Sequence, residues 1–186
     1  MRVPLSWLRE FVDIALTPEQ LAERLTLLGM EVSAIERVGA DWHRVVVGEL
    51  LEVAPHPNSQ KLSLTRVRTD EGGHELSIVS GATNIEAGQR EPVALPGSVL
   101  PGDRHIDITT IAGTQSQGML CSGDELGLTA DAEGILILPL ESKLGVDLAA
   151  MAGDVVLDVD VKPNRGDALS IVGLAREVAA ATGAEL

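Results

Sequence analysis

The chain of 186 residues has 14 Lys and Arg against 28 Asp and Glu, which gives a net charge of −14. A surface this acidic repels polyanions at long range, so any contact with nucleic acid must come from a local basic patch. With one Phe, two Trp and no Tyr, the chain also lacks the aromatic side chains from which typical single-strand binders build a stacking platform.

The first predicted helix lies near the amino terminus. Leu5, Leu8 and Val12 recur at helical spacing, and Ser6 is a candidate cap for this helix. Trp7 lies beside them, and we expect its large ring to anchor the core of this part of the chain.

A second, better-marked helix follows. The sequence Thr17-Pro18-Glu19-Gln20 combines a capping threonine, proline at the first helical position and glutamine three residues after the cap. Gly29 stands where a left-handed carboxy-terminal cap belongs, and residues 31–38 then predict a strand. The leucines expected on the buried face of this helix are Leu21, Leu25 and Leu28.

From about residue 40 the pattern changes to short apolar runs separated by turns rich in glycine, proline and asparagine. Gly48 predicts a bend or bulge in the first of these runs, and the opposite parities of Leu64 and Val67 predict a bulge in the second. At least five strands within roughly 100 residues favour a five-stranded barrel of the oligonucleotide/oligosaccharide-binding (OB) type, although the pattern alone leaves a sandwich open. The predicted strands are 45–53, 61–68, 75–80, 91–94, 105–111 and 134–138.

After about residue 150 the helical pattern returns. Alternating apolar and charged residues over 155–162 predict a half-buried strand, and Asp167 is predicted to cap a last helix that runs to about Thr182. The two flanks, 1–39 and 151–186, are each too short to bury a core alone. We therefore predict an α+β protein whose flanks pack together as one discontinuous domain, with the barrel of residues 40–150 inserted between them.

Motifs for catalysis and metal binding are missing. The four histidines do not have metal-ligand spacing, and there is no phosphate-binding loop or serine-nucleophile motif. The lone Cys121 has two interpretations. The functional one is a nucleophilic thiol, and the simpler one is a small buried hydrophobic side chain. Solvated faces and helix caps are the simpler interpretation of the acidic pairs Asp124/Glu125, Asp131/Glu133 and Asp158/Asp160.

The compartment and the membrane can also be addressed from the sequence. A single cysteine cannot form an internal disulfide, which fits a reducing, cytoplasmic compartment. Charges interrupt the first ten residues, and no apolar run approaches the roughly 18 residues of a membrane helix. We therefore expect no signal peptide and no membrane partner.

Several stretches are more specific than a generic barrel. The central ones are HPNSQKL (56–62), IVSGATN (78–84), VALPG with LPG (93–97, 100–102) and SQGMLCSGDELG (116–127). Together they resemble the tRNA-binding module shared by several synthetases and by free-standing tRNA-binding proteins, a module with the OB fold. The flanking ones are SWLREFV (6–12), LGMEV (28–32), VKPNRGDAL (161–169) and GLARE (173–177). They resemble the beta subunits of bacterial phenylalanine–tRNA ligases.

The resemblance implies a parent enzyme that joins phenylalanine to its tRNA, using ATP and magnesium, as a tetramer of two alpha and two beta chains. In that family the aminoacyl-adenylate site lies in the alpha subunit. The editing site and the magnesium ligands lie further along the beta chain. The resemblance therefore implies that this chain is an amino-terminal fragment with roles in tRNA contact and subunit architecture but with no catalytic, cofactor or metal site of its own.

The candidate tRNA-binding residues follow from the resemblance and from residue chemistry. Lys61, Arg66 and Arg68 form the acid-free basic run of the module, with Arg44 and Arg90 as additions, and a solvated strand face is their structural alternative. The other candidates are Asn58, Asn84, Ser116 and Met119. For the two asparagines the structural alternative is turn formation, and for Met119 it is packing in the core.

The strength of tRNA binding is expected to be low. Ala112 stands where the family commonly has arginine, which removes one phosphate contact, and residues 40–150 are themselves strongly acidic. We therefore expect weak, patch-limited binding. Two other functions stay open: a docking module that has lost RNA binding, which the acidity favours, and an independent tRNA-binding protein, against which the flanking motifs speak.

Overall fold

The structure is a computed structural model that describes residues 1–129 and 134–186, so Asp131 and Glu133 lie outside the described residues. Among the described residues no helix combines the length and the apolar character needed to cross a membrane. The strands are β1 (Arg2–Pro4), β2 (Glu31–Val38), β3 (His43–Pro55), β4 (Ser63–Arg68), β5 (Glu75–Ser80), β6 (Arg90–Leu100), β7 (Arg104–Ile106), β8 (Ile108–Ile111), β9 (Thr114–Gln117), β10 (Met119–Leu120) and β11 (Asp154–Asp160). The helices are α1 (Leu5–Leu8), α2 (Pro18–Leu27), α3 (Leu148–Ala152) and α4 (Ile171–Thr182), with a 3₁₀ turn at Gly166–Ala168.

The chain divides into two compact units. Met1–Val38 and Gly153–Leu186 form one, here called the flank unit, and Gly39–Ala152 form the other, the central unit.

The flank unit is built on a three-stranded antiparallel sheet in the order β1-β11-β2. Helices α2 and α4 cover it with apolar faces, because leucine and alanine recur at helical spacing on each. The fully buried side chains come from both ends of the sequence: they include Val3, Leu8, Leu21, Leu25, Leu157, Val159, Leu174 and Ala175. The core of this unit therefore exists only when both chain segments are present.

Helix α2 begins and ends as predicted. The side chain of Thr17 accepts a hydrogen bond from the amide of Gln20, whose own side chain accepts one from the amide of Thr17. At the other end Gly29 has a φ of +85°, and the amide of Met30 donates to the carbonyl of Leu25, as in a Schellman motif. The prediction for Leu28 is wrong, because it occupies the cap position and is 38% exposed.

The first helix differs from the prediction. It is a single turn that follows the strand β1, its cap position is Pro4, and Ser6 instead donates its hydroxyl to the carboxylate of Asp154 at 2.6 Å. Trp7 is 51% exposed, so the prediction that it anchors the core is wrong. On one helical turn Leu5 and Leu8 take the buried side and leave Ser6 and Trp7, the two residues between them, exposed.

The last helix begins later than predicted. Ser170 caps it by accepting a hydrogen bond from the amide of Gly173 at 3.0 Å, so the assignment of the cap to Asp167 is wrong. Asp167 lies in the 3₁₀ turn and pairs with Arg165 at 2.9 Å. Gly183 ends the helix in the left-handed conformation, as expected.

The central unit is a curled antiparallel sheet in the order β10-β6-β3-β4-β5, with β7 paired to β6. Strands β8 and β9 form a separate two-stranded ribbon, so the strand predicted over 105–111 is divided at Asp107. The chain is thus a mixed α and β protein whose central sheet is an open half-barrel, compatible with an OB-like fold. Its core includes Leu50, Val67, Ile78, Val93 and Leu120.

The closed five-stranded barrel is not confirmed. Residues 134–138, predicted as a strand, form an extended segment with one isolated bridge, between Leu138 and Arg90. A second backbone hydrogen bond joins the amide of Leu136 to the carbonyl of Cys121 at 3.0 Å. Single attachments of this kind hold the segment against the sheet without extending the ladder.

Two details of strand β3 correct the sequence prediction. Gly48 pairs regularly with Glu91, and a Cβ at this position would lie 2.3 Å from Cγ2 of Val93. The glycine therefore permits close packing and marks no bend. The register with β4 shifts between Leu50 and Glu52, whereas β4 itself pairs with β5 without a shift, so the bulge lies in β3 and not in residues 61–68.

Glu91 on strand β6 is fully buried, and neither carboxylate oxygen has a hydrogen-bond partner among the described residues. It has the same parity along the strand as Val93, which lies in the core of the central unit. Burial raises the pKa of Glu91 from its ordinary value of 4.5 to about 7, because the charged form loses its hydration.

We expect the Glu91→Gln variant to remove one pH dependence of stability. The folded state holds the Glu91 proton up to about pH 7 and the unfolded state loses it near 4.5, so stability falls as the pH rises between these values. The total loss is about 3 kcal/mol at about 1.4 kcal/mol per pH unit. The free energy of unfolding, measured from pH 5 to pH 8, should therefore be higher for Glu91→Gln than for wild type at pH 8 and similar at pH 5. The exposed Glu86→Gln is the control, and equal slopes in all three proteins would contradict the prediction.

We also expect the two segments of the flank unit to depend on each other. A chain of residues 1–150 lacks Leu157 and Leu174, exposes Leu21 and Leu25, and should aggregate or bind a hydrophobic dye. An excised chain of residues 40–150 should melt cooperatively, because it keeps the central sheet. A soluble 1–150 chain whose helix α2 is protected from amide exchange would refute the discontinuous domain.

Candidate nucleic-acid interface

A cleft of the central unit opens beside strands β5 and β10. It has a volume of about 480 Å³. Its floor is apolar, with Val79, Leu120 and Ile135, and its rim carries charged and polar groups. Its other notable lining residues are Gly81, Arg104, Met119, Ser122, Asp124 and Glu125. A concave site of this size with few convergent polar groups suits an organic ligand or an unstacked base.

Arg104 supplies the positive charge of the cleft, and its position is fixed. Its guanidinium donates to Glu125 at 2.8 Å and to Sδ of Met119 at 3.4 Å. Glu125 in turn accepts from the amide of Ser122, whose hydroxyl accepts from the amide of Glu125. Arg104 was not among the site residues predicted from the sequence, where its signal was its nearness to the predicted strand 105–111.

The two residues of the Ser-x-Gly-Met stretch have different positions. Met119 lines the cleft and is half-buried. Ser116 is buried: its hydroxyl accepts from the amide of Val79 at 3.1 Å and donates to the carbonyl of Gly118 at 3.0 Å. Ser116 thus holds β9 against β5, and only the methionine is available for contact with a ligand.

Both candidate asparagines hold loops. The side chain of Asn58 donates to the carbonyl of Ala112 at 3.0 Å, which ties the loop after β3 to the turn between β8 and β9. The side chain of Asn84 donates to the carbonyl of Ile135 and accepts from its amide, both at 2.9 Å. It lies so close to Gly134 that a Cβ there would be 2.5 Å from its Oδ1. The side chain of Asn84 therefore makes the two hydrogen bonds that a neighbouring strand would otherwise make to Ile135. It thereby holds Gly134 and Ile135, which line the cleft, in place.

The cations of the predicted basic patch differ in their pairing. Arg66 lies 3.2 Å from Glu75 and 3.7 Å from Glu52, and Arg68 forms a hydrogen bond with Glu49. That hydrogen bond raises the pKa of Arg68 above its ordinary value. The patch is therefore largely neutralised by its own sheet.

The other cations of the central unit are mixed. Arg90 lies 3.5 Å from Glu49 and is largely buried. Lys61 and Arg44 are exposed and form no ion pair with a described residue. Lys61 precedes β4 and is not part of it, so it does not share the strand geometry assumed for the patch.

The buried thiol of Cys121 fits the simpler of its two interpretations. It has no exposed surface, and burial with the nearby Glu125 carboxylate raises its pKa to about 12. A thiol that stays protonated at neutral pH is a small hydrophobe and not a nucleophile. Within residues 1–129 and 134–186 no group of three or more His, Cys, Asp or Glu could hold a metal ion.

A family model described as "Putative tRNA binding domain" matches residues 45–147. The matched segment is more than half of the chain, and it coincides closely with the central unit, which contains the cleft and the basic patch.

Curated relatives match almost the whole chain. A phenylalanine–tRNA ligase beta subunit of Anaeromyxobacter dehalogenans is 49% identical over 98% of this chain. The same subunit of Syntrophus aciditrophicus is 46% identical over 100% of it. The chain spans 23% of the length of each of these relatives. Among solved structures, a MetRS-related protein of Pyrococcus horikoshii is 18% identical and has a TM-score of 0.40, covering 56% of this chain and 87% of that one.

We expect Asn84→Ala to destabilise the central unit by about 1–3 kcal/mol, since it leaves the buried amide and carbonyl of Ile135 without partners. Denaturant unfolding gives the free energy, and amide exchange at Ile135 reports the local opening. Asn58→Ala, which loses one hydrogen bond at an exposed loop, is the matched comparison and should cost less. If Ile135 stays as protected in Asn84→Ala as in wild type, the role assigned to Asn84 is wrong.

Proposed function

The chain belongs to the tRNA-binding domain family, and from that premise we propose that its central unit binds tRNA weakly, through a small set of unpaired cations and the cleft beside β5 and β10. The observation that carries the proposal is the family match over residues 45–147, the segment that contains both features.

The contact residues proposed are those available to a ligand. Lys61 and Arg44 are exposed without an ion pair to a described residue, and Met119 with Arg104 lines the cleft. An unstacked base has room there against the methionine and the guanidinium, since arginine planes and apolar side chains can replace aromatic stacking partners. Arg66 and Arg68 contribute to the extent that phosphates displace their carboxylate partners. We propose that Asn58, Asn84 and Ser116 position these surfaces and do not contact RNA themselves.

The wider context proposed is the beta subunit of a phenylalanine–tRNA ligase. The relatives at 46–49% identity carry that name, and this chain matches 23% of their length. We propose that the whole protein joins phenylalanine to its tRNA with ATP and magnesium, assembled with alpha subunits as two alpha and two beta chains in the cytoplasm. In this context the central unit, as an OB-type domain, assists tRNA capture, and the flank unit has an architectural role.

A docking module without RNA binding is the second candidate. The observation in its favour is the pairing of Arg66 and Arg68 with carboxylates, which lowers the charge that the sheet presents to RNA. Titration with tRNA separates the two candidates.

We expect the 186-residue chain to bind labelled tRNA with a dissociation constant on the order of 10⁻⁴ to 10⁻⁶ M at physiological salt. Two to four phosphate contacts, each releasing about 0.7–0.9 counterions, give a log–log salt slope of about −1.5 to −3.5. The variant Lys61→Ala/Arg66→Ala/Arg68→Ala should bind more weakly and with a shallower slope.

The control Arg9→Ala/Arg24→Ala/Arg176→Ala removes three cations of the flank unit that form no ion pair with a described residue, so the net charge changes equally. Nanomolar binding, or equal slopes in the two triple variants, would show that the patch assignment is wrong. No binding even at low salt would establish the docking module in place of tRNA binding.

A further inference from the structure

The outer face of strands β3, β4 and β5 carries a cross-strand set of charges. The cations on the middle strand are Arg66 and Arg68, and carboxylates flank them on both neighbours. In the register, Glu49 of β3 and Glu75 of β5 both lie opposite Arg68, and Glu52 of β3 lies opposite Arg66. Opposite charges directly across strands attract, so the sheet itself holds the set together.

The bulge in β3 is what brings two of these carboxylates to the same face. Side chains alternate along a regular strand, so Glu49 and Glu52, three residues apart, would point to opposite faces. The register shift between Leu50 and Glu52 inserts Leu51 as an extra residue and restores Glu52 to the outer face. Leu50 remains fully buried in the core between them. The bulge therefore places both carboxylates on the face where the arginines of β4 lie.

The distances show how completely the cations are matched. Arg66 contacts two carboxylates, of Glu75 at 3.2 Å and of Glu52 at 3.7 Å. Arg68 forms a hydrogen bond with Glu49, which also lies 3.5 Å from Arg90. Three guanidinium groups therefore face three carboxylates, and the net charge of the set is zero.

The two halves of this set differ in exposure. The side chains of Arg66, Glu52 and Glu75 are 56%, 59% and 42% exposed, so water and salt compete for these pairs and a phosphate can exchange with them. The side chains of Glu49 and Arg90 are only 20% exposed, so water and salt compete less for that pair. A polyanion that approaches the sheet meets cations whose attraction is cancelled nearby, and it must displace a carboxylate for each new contact.

We propose that Glu49, Glu52 and Glu75 form a carboxylate screen that sets the affinity of this face for the phosphate backbone of tRNA. The proposal rests on the proposed function and deepens it. The screen keeps Arg66 and Arg68 largely out of the electrostatic contact, whereas the exposed Lys61 lies outside the paired set and stays available to a phosphate. The acidic residues are thereby specificity-determining: they suppress attraction to any polyanion and leave selection to contacts made elsewhere.

The test is the variant Glu49→Gln/Glu52→Gln/Glu75→Gln, titrated with a tRNA transcript at several salt concentrations. We expect binding about tenfold tighter than wild type at physiological salt, and a log–log slope steeper by about 1.5–2, for the two arginines made available. The matched control is Asp41→Asn/Glu86→Gln/Asp107→Asn. It removes the same charge from exposed carboxylates of the central unit that form no ion pair with a described residue.

A second measurement isolates the partners of the screen. In an Arg66→Ala/Arg68→Ala background the same three glutamine substitutions should improve binding no more than the control substitutions do. The single variant Glu52→Gln, at an exposed pair, gives a smaller change of the same sign and tests the proposal if the triple variant unfolds.

The outcomes separate the screen from the function it rests on. A wild-type chain that binds tRNA, with equal gains in the screen and control variants, overturns the screen alone. If no variant binds tRNA at low salt, the proposed function fails and the screen with it. A gain specific to the screen, and lost with the two arginines, supports both.

Discussion

The position of strand β11 is the constraint on which the flank unit depends. It lies between β1 and β2 and pairs with both of them. The first 38 residues therefore form this sheet only together with residues 154–160. The amino group of Met1 donates to the carbonyl of Val159 at 2.5 Å and pairs with Asp158 at 3.3 Å, which fixes the start of β1 against the same strand. A contact of such large sequence separation costs more loop-closure entropy than a local one, so the stability of this sheet depends on packing that repays that cost.

The central unit solves a different problem, that of a sheet whose edges are not joined by a ladder. Side chains make the connections: Ser116 joins β9 to β5, and Asn84 holds the segment at Ile135. Side-chain connections leave the edge open enough for a cleft, whereas a continuous ladder would fill it with backbone. The same polar residues that the sequence suggested as ligand contacts are therefore residues that shape the cleft.

Local rules predicted the elements whose signals are local. The capping box at Thr17, the strand Glu31–Val38 and the left-handed cap at Gly183 are confirmed because a few neighbouring residues determine each of them. Trp7 and residues 134–138 were predicted wrongly because burial and pairing depend on partners distant in the sequence.

The site was predicted less well than the fold. The motifs located the loops around the cleft, yet they did not show that Asn58, Asn84 and Ser116 spend their hydrogen bonds within the protein. The acid-free run at Arg66 and Arg68 is acid-free only along the chain, since its carboxylates come from neighbouring strands. Strand pairing brings together charges that are distant in the sequence, so the sequence alone did not show that these arginines are paired.

The burial of Cys121 has a practical consequence for spectroscopy. Because Cys121 has no exposed surface and burial raises the pKa of its thiol, we expect it not to react with maleimides at neutral pH while the central unit is folded. A single cysteine introduced at an exposed position can therefore be labelled with a fluorophore or spin label without first replacing the natural one. The rate at which Cys121 itself is modified then reports how often the half-barrel opens.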